Sequence, residues 1–223
     1  ATVIIPGNIY GFGNQPGVFD EHTPNMPNTR KGKIRVEMED TYRRAGVKTI
    51  ILRAGNFIDP DSPDDLMGMM FLRSIAKGKI TAAGDPSAMQ AYCFLPDWAR
   101  AAVMLAERRG SLAQFEDLPF EGHHFSMNDL KHAIAQTTAK PLQMTQFPWW
   151  LMTALSPVWG LARELREMRY LSETAHTLGH AKFDALLPGF VHTDLDTAIS
   201  ACLAPDVQPN QPVRTGGEAI AAE

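Results

Sequence analysis

Two β-branched runs flank one amphipathic helix within the first 52 residues, and this arrangement constrains the chain more than anything else in it. Residues 1–5 (ATVII) form a short apolar run of the buried-strand type. Residues 31–45 carry Ile34, Met38, Thr41 and Ala45 at helical spacing, and Gly46 closes that helix. Residues 47–52 (VKTIIL) make a second apolar strand, ended by Arg53-Ala54-Gly55-Asn56. Two apolar strands joined by a helix form a βαβ unit, and such a unit commits the chain to a parallel sheet of an α/β protein.

The pieces that follow are shorter. Residues 64–77 read as a helix, with Asp64 and Asp65 at its positive end and Gly78 after it. Residues 79–83 and 91–95 read as strands, and Asp97 as the cap of a helix over 98–109. Residues 120–125 read as a strand, and the capping box Ser126…Asp129 opens a helix to about 138. Residues 142–147 alternate as a small strand. Helices are expected at 148–169, broken near Pro157, then at 180–187 and 193–203. The stretch 205–223 is polar and rich in Pro and Gly, which predicts disorder.

Composition removes several classes. A net charge of −4 over 223 residues gives no basic field for nucleic acid. Cys93 and Cys202 stand far apart with no CxxC or Cys/His spacing, so both read as reduced thiols of a cytoplasmic protein, and no metal site is expected. His123 and His124 lie on opposite faces of a strand. His176 and His180 are four apart, but Gly179 intervenes and no acidic partners flank them. Residues 147–162 carry no charge but are too short to span a bilayer, and Pro157 interrupts them. Trp149, Trp150 and Trp159, with Met144 and Met152, suit either an apolar pocket or lid, or core and interface packing. Glu164, Arg166, Glu167 and Arg169 read as a solvated helical face. Gly11, Gly13 and Gly17 are spaced GxGxxxG with Pro16 before the last, and no helix begins there. They therefore make a turn, not a phosphate loop.

Four segments in order carry a family resemblance. They are Ile4-Ile5-Pro6-Gly7-Asn8-Ile9-Tyr10-Gly11, the helical stretch from Lys33 to Glu37, Leu52-Arg53-Ala54-Gly55-Asn56, and Tyr92-Cys93-Phe94-Leu95-Pro96-Asp97-Trp98-Ala99. Together they resemble the extended short-chain dehydrogenase/reductase family, the NAD-dependent epimerases and dehydratases, over most of residues 1–200. The resemblance implies part of a Rossmann-type doubly wound parallel sheet with a smaller, mostly helical C-terminal substrate domain. The implied division is 1–60 as the C-terminal part of the Rossmann-like domain, 61–96 as a substrate-domain insertion, 97–125 as the return, 126–204 as the substrate domain and 205–223 as a tail. At roughly 30 residues per βαβ unit, about a hundred residues bearing the phosphate loop are expected to precede residue 1. The strand 1–5 is then expected to have an unpaired edge. NAD or NADP is implied for the full-length protein, and none for this chain alone. The sheet edge and the tryptophan stretch are the surfaces through which the chain could self-associate.

The same resemblance assigns site residues. Pro6, Gly7, Ala54, Gly55 and Lys33 would lie against the cofactor, and Asn56, Gln90, Tyr92 and Tyr10 against a small substrate bearing a hydroxyl or carbonyl. The family's general acid/base is a Tyr four residues before the Lys, but Thr29 stands there in this chain, and Pro6 replaces the usual Ser/Thr. A threonine hydroxyl is too weak an acid to replace a phenol. Tyr10 follows the strand and matches a packing position of the family. Three readings stay open: a cofactor-binding relative with altered or absent redox chemistry, such as a dinucleotide-sensing or scaffold protein; an NAD(P)-dependent epimerase, dehydratase or reductase using Tyr10, Tyr92 or a side chain from the missing part; or a different alignment of the loop. Lys33 also fits a solvated lysine among Arg30, Lys31 and Arg35, Asn56 a capping turn residue, and Tyr92 a half-buried strand residue. Gln90 stands where nucleotide-sugar enzymes carry an Arg, which weakens the case for a diphosphate-bearing substrate.

Overall fold

The computed structural model describes residues 1–62 and 64–203. The segment expected to be disordered, 205–223, lies outside them.

The opening unit forms as its pattern dictates. Strand β1 (Thr2–Gly7) leads through a turn region containing the short β2 (Gly17–Phe19) to helix α1 (Arg30–Arg44), then to β3 (Lys48–Arg53). Strand β4 (Asn56–Ile58), β5 (Lys79–Ala82) and β6 (Gln90–Phe94) follow, then helix α2 (Leu95–Glu107) and β7 (Phe115–Pro119). The remainder comprises β8 (His123–Phe125), α3 (Met127–Thr138), β9 (Gln143–Gln146), α4 (Trp149–Leu155), α5 (Gly160–Glu167), β10 (His176–Leu178), α6 (Ala181–Leu186) and α7 (Leu195–Cys202). The α/β class holds, with β1, β3 and β7 parallel in that order. Within this sheet β1 is an edge strand. A second sheet orders β4, β6 and β8, and β5–β9 and β2–β10 form parallel pairs.

Three clusters divide the buried apolar residues: a small one of Ile9, Phe12, Phe19, Ala91 and Leu178, with Tyr10 packed against it, and two larger ones. Ile50, Leu52, Ala101, Leu105, Leu118 and Phe120 pack where α2 covers the β1–β3–β7 sheet. Phe71, Tyr92, Phe125, Leu130, Ile134 and Ile199 belong to the other, between the second sheet and α3 and α7.

A buried ionic knot pins the first sheet. Arg53 at the end of β3 is 2% exposed and donates to both Glu39 oxygens from α1, at 3.1 and 2.9 Å. It also donates to Asp117 on β7 at 3.0 and 2.6 Å, and to the Asn8 carbonyl after β1. Asp97 is likewise buried in the first turn of α2 and accepts from the Thr193 amide and hydroxyl at 2.7 and 2.8 Å. It is therefore not the cap residue, since α2 begins two positions earlier.

Several other expectations need correction. Residues 64–77 are not one α-helix. Leu72 N donates to Met67 O at 2.8 Å, a five-residue span that brings Met67, Phe71 and Leu72 into one core. A 3-10 turn over Ile75–Lys77 then ends at left-handed Gly78. Of the strand expected at 120–125 only β8 forms, after a turn at Gly122, whose φ is 60°, while β7 precedes it where no strand was expected. β7 hides behind Glu116, Asp117 and Pro119, because its acids bind Lys182 and Arg53. The face of Glu164, Arg166, Glu167 and Arg169 keeps Arg166 and Arg169 exposed, as expected, but is also tied to its neighbours. Glu164 pairs with Lys31, Arg166 Nη1 donates to Ser156 Oγ at 2.7 Å, and Glu167 accepts from the Arg30 and Lys31 amides. The long expected helix breaks into α4 and α5 around Pro157, as its sequence implied.

Candidate functional site

A cleft of about 390 Å³ opens where the chain leaves the carboxyl ends of β1 and β3. One wall is Pro6, Gly7 and Asn8, and the other is Ala54, Gly55 and Asn56. The Ala54 amide donates to the Gly7 carbonyl at 3.1 Å, so the two strand ends leave together. Gly55 is required by close approach, because a Cβ there would sit 2.2 Å from the Ala91 carbonyl oxygen. Open parallel sheets bind ligands beyond the carboxyl ends of their strands, where backbone groups face outward without ladder partners.

Three titratable side chains line this cleft, Tyr10, Arg35 and Asp65, and the Asp65 carboxylate accepts from the Asp59 and Gly68 amides at 2.8 and 2.7 Å. Tyr10 begins a 3-10 turn and donates its amide to Asn8 Oδ1 at 3.0 Å. Burial raises its phenol above the ordinary value, and the positive charge of Arg35 opposes that rise. The hydroxyl is therefore protonated at neutral pH, on a side chain that lines the cleft and packs against Ile9, Phe12 and Phe19. Arg35 points here because α1 packs against the Tyr10 turn through Gly32, where a Cβ would come within 2.5 Å of the Tyr10 carbonyl oxygen.

No family model and no curated protein matches the sequence. Solved structures do match. The UDP-glucuronic acid 4-epimerase from Bacillus cereus, solved with UDP-glucuronic acid and NAD, superposes with a TM-score of 0.70 over 90% of this chain at 15% identity. The chain has the fold of NAD-dependent epimerases and dehydratases. An L-threonine dehydrogenase from Cupriavidus necator matches over 92% of the chain at 17% identity, with a TM-score of 0.71. TunA, an NAD-dependent NDP-hexosamine 5,6-dehydratase, matches over 90% at 15% identity, with a TM-score of 0.66. The chain spans 59% of the epimerase, 61% of the dehydratase and 64% of the threonine dehydrogenase.

Within this epimerase fold the sequence-predicted residues separate into two groups. Pro6, Gly7, Tyr10, Ala54, Gly55 and Asn56 all line the strand-end cleft. Thr29 and Lys33 do not. Thr29 is buried as the N-cap of α1, its hydroxyl accepting from the Gly32 amide at 3.0 Å, and Tyr170 lies beside it. Lys33 is exposed. Gln90 lines a second cavity of about 240 Å³, which Tyr10, Asn56 and Leu66 share with the first. Tyr92 is 1% exposed, stacked on Phe125 at 3.9 Å, and its hydroxyl donates to Gln90 Oε1 at 3.3 Å. Burial alone raises its pKa, so Tyr92 is a core residue that orients Gln90. Arg35 is the residue that the sequence reading missed. Its signal was helical phase: three residues after the packed Gly32, it shares that residue's face.

The donor set fits the reactive end of a dinucleotide but not its pyrophosphate. Asn8, Asn56, Tyr10, Arg35 and Asp65 offer polar groups in a cavity otherwise lined by Pro6, Gly7, Ile9, Ala54, Gly55, Phe57 and Leu66. The N-terminus of α1 already holds the Glu167 carboxylate. Gly11 lies in a 3-10 turn, Gly13 follows it and Gly17 opens β2, so none of these glycines begins an α-helix. Among the described residues no group of three or more His, Cys, Asp or Glu could hold a metal, and no helix is long and apolar enough to cross a membrane. Cys93 is buried, with its thiol pKa pushed up by that burial.

Proposed function

We propose that this chain supplies the strand-end and substrate-side portion of an NAD(P)-dependent oxidoreductase or epimerase acting on a small hydroxyl- or carbonyl-bearing substrate. The observation that carries this reading is Tyr10, a protonated phenol at the carboxyl ends of two parallel strands, in the field of Arg35 and shared by two adjoining cavities. A bound nicotinamide would add or remove a hydride at the substrate carbon. Tyr10 Oη moves the proton at the neighbouring oxygen, and Arg35 stabilises the phenolate left after donation. Pro6, Gly7, Ala54 and Gly55 would flank the cofactor ring, while Asn56 and Gln90 orient the substrate.

A second reading, binding without turnover, is favoured by the position of Thr29, which is committed to capping α1 and is no acid/base. Fluorescence titration with NADH and NADPH separates the two, using the protein as its gene encodes it, followed by turnover assays on small carbonyl compounds. The catalytic reading expects both binding and turnover. Tyr10→Phe should lower kcat by about 10²–10⁴-fold while leaving dinucleotide affinity within a factor of a few. Arg35→Met should shift the alkaline limb of the pH profile upward. Binding with no turnover establishes the second reading, and turnover unaffected by Tyr10→Phe refutes the role of that residue.

A further inference from the structure

Strand β10 is held along both edges. On one side it pairs in parallel with β2, and the Gly179 amide just beyond it donates to the Phe19 carbonyl at 2.8 Å. On the other side its alternate amides turn inward. The His176 amide donates to the Met89 carbonyl at 2.8 Å, and the Leu178 amide donates to Nε2 of the His124 side chain at 3.3 Å. An imidazole nitrogen from β8 thus stands where a strand carbonyl would stand, and it accepts only while the ring is neutral. The strand matters to the site because Leu178, 1% exposed, packs with Ile9, Phe12 and Phe19 in the cluster that backs Tyr10.

A second histidine opposes charge on the same strand. His176 is 3% exposed and stacks on Phe19, with Nδ1 donating to the Thr174 carbonyl at 2.9 Å. Its Nε2 is buried without a partner, so a proton there meets no acceptor. The neighbouring charges act on His124 in opposite senses. Glu121 lies beside that ring and attracts its charged form, whereas His180, paired with Asp184 at 2.9 Å, and His176 repel it. On the β2 side Asp20 follows Phe19, but its carboxylate is taken by the Thr23 hydroxyl and the His22 amide. His123 lies on the opposite face of β8, near Asp97 and Asp194.

We infer that His124 is a proton-operated latch on β10, which holds the β2–β10 pair against β6 and β8 and with it the wall behind Tyr10. A proton on Nε2 removes the acceptor of the Leu178 amide and sets two N–H groups face to face. The ring then turns to Glu121, and the β2–β10 pair comes away. Burial lowers both His124 and His176 from the ordinary value near 6.5, so the latch is closed at neutral pH and opens in acid. For each ring, opening gains up to about tenfold per pH unit over which the buried form stays neutral while a free one charges. The effect on Tyr10 rests on the reading above; the release of β10 does not.

Hydrogen–deuterium exchange read by mass spectrometry tests the latch without substrate or dinucleotide. After correction for intrinsic exchange, protection over residues 175–180 should fall at least about tenfold from pH 7.5 to pH 5. Protection of α3, which carries Leu130 and Ile134 of another core, should hold. His124→Gln keeps an acceptor that does not titrate, and should at least halve the fall on a logarithmic scale. His124→Leu removes the acceptor, and should give low protection of β10 at both pH values. His123→Gln should retain the wild-type fall. A flat profile, a fall that His124→Gln does not halve, or a parallel loss in α3 of the unaltered chain, which marks global unfolding, would each overturn the inference. Exchange needs no turnover, so an inactive Tyr10 leaves this outcome untouched, and failure of the latch leaves the Tyr10 assay standing.

Discussion

Replacing Arg53 with Met tests the ionic knot beneath the cleft. The Arg53 side chain is 2% exposed and its Glu39 partner 4%, so neither charge has water to fall back on. Both carboxylates hold the guanidinium in its charged form, against the burial that disfavours it. Met keeps the volume and removes the charge, leaving the Glu39 carboxylate and the Asn8 carbonyl buried without their donor. Removing one partner of a buried ion pair costs about 3–5 kcal/mol. Asp117, with a 23% exposed side chain, regains some hydration and contributes the smaller share. For a chain of this size the loss corresponds to a fall in Tm of roughly 6–20 °C. Urea titration followed by circular dichroism measures it. The double variant Arg53→Met/Glu39→Leu removes the stranded charge and should recover at least half of the loss, since an apolar replacement of a buried pair is often neutral. A single-variant loss below about 1 kcal/mol, or a double variant no better than the single, would refute the idea that uncompensated charge is what the knot prevents.

Two further outcomes follow from packing and titration. His176 is 3% exposed with its pKa lowered by burial, and His123 and His124 are lowered for the same reason. Each is neutral in the fold and charges more readily when unfolded. The stability is therefore complete above the unfolded value near 6.5, and is lost as pH falls from there through the lower folded value. The urea midpoint should drop between pH 7.5 and 5.5, and His176→Gln should flatten that drop; an unchanged slope would count against the burial of this imidazole. Gly55→Ala should destabilise by roughly 1–3 kcal/mol, because its Cβ meets the Ala91 carbonyl oxygen at 2.2 Å, a backbone atom fixed in β6. A neutral result in thermal melts would mean that the strand-end wall yields.

Local pattern carried the parts of the fold that local physics decides. β1, α1 and β3 were legible because their apolar periodicity is unbroken, and α3 because Ser126 and Asp129 satisfy each other's backbone amides. β2 and β10 were not legible, since each is three residues long and exists only by pairing with the other across the chain. β7 was hidden for a different reason: its Glu116 and Asp117 look like surface charges until Lys182 and Arg53 arrive from distant segments. The site divides differently. Pro6, Gly7, Ala54, Gly55 and Asn56 were named through the family resemblance alone, and they lie together because each stands at or just after the end of a strand. The apolar groove between α4, α5 and the 67–71 turn was only half readable, as a greasy tryptophan–methionine stretch, because its other wall is that turn, which read as an ordinary helix.

The exchange of Lys33 for Arg35 shows how a site residue is chosen by helix phase. Two positions apart on an α-helix lie on nearly opposite sides, so only one of the pair can face the cleft. Thr29 fixes where α1 begins, through its hydroxyl on the Gly32 amide. Gly32 then fixes how the helix is rotated, because only a residue without Cβ can lie against the Tyr10 carbonyl. Positions three, four and seven beyond it share that side. Val36 contacts the Gly11 region, Glu39 reaches Arg53, and Arg35 reaches the cleft. Lys33, one position on from Gly32, is carried about a hundred degrees away to solvent. The Thr29 cap and the packed Gly32 together set a guanidinium near Tyr10.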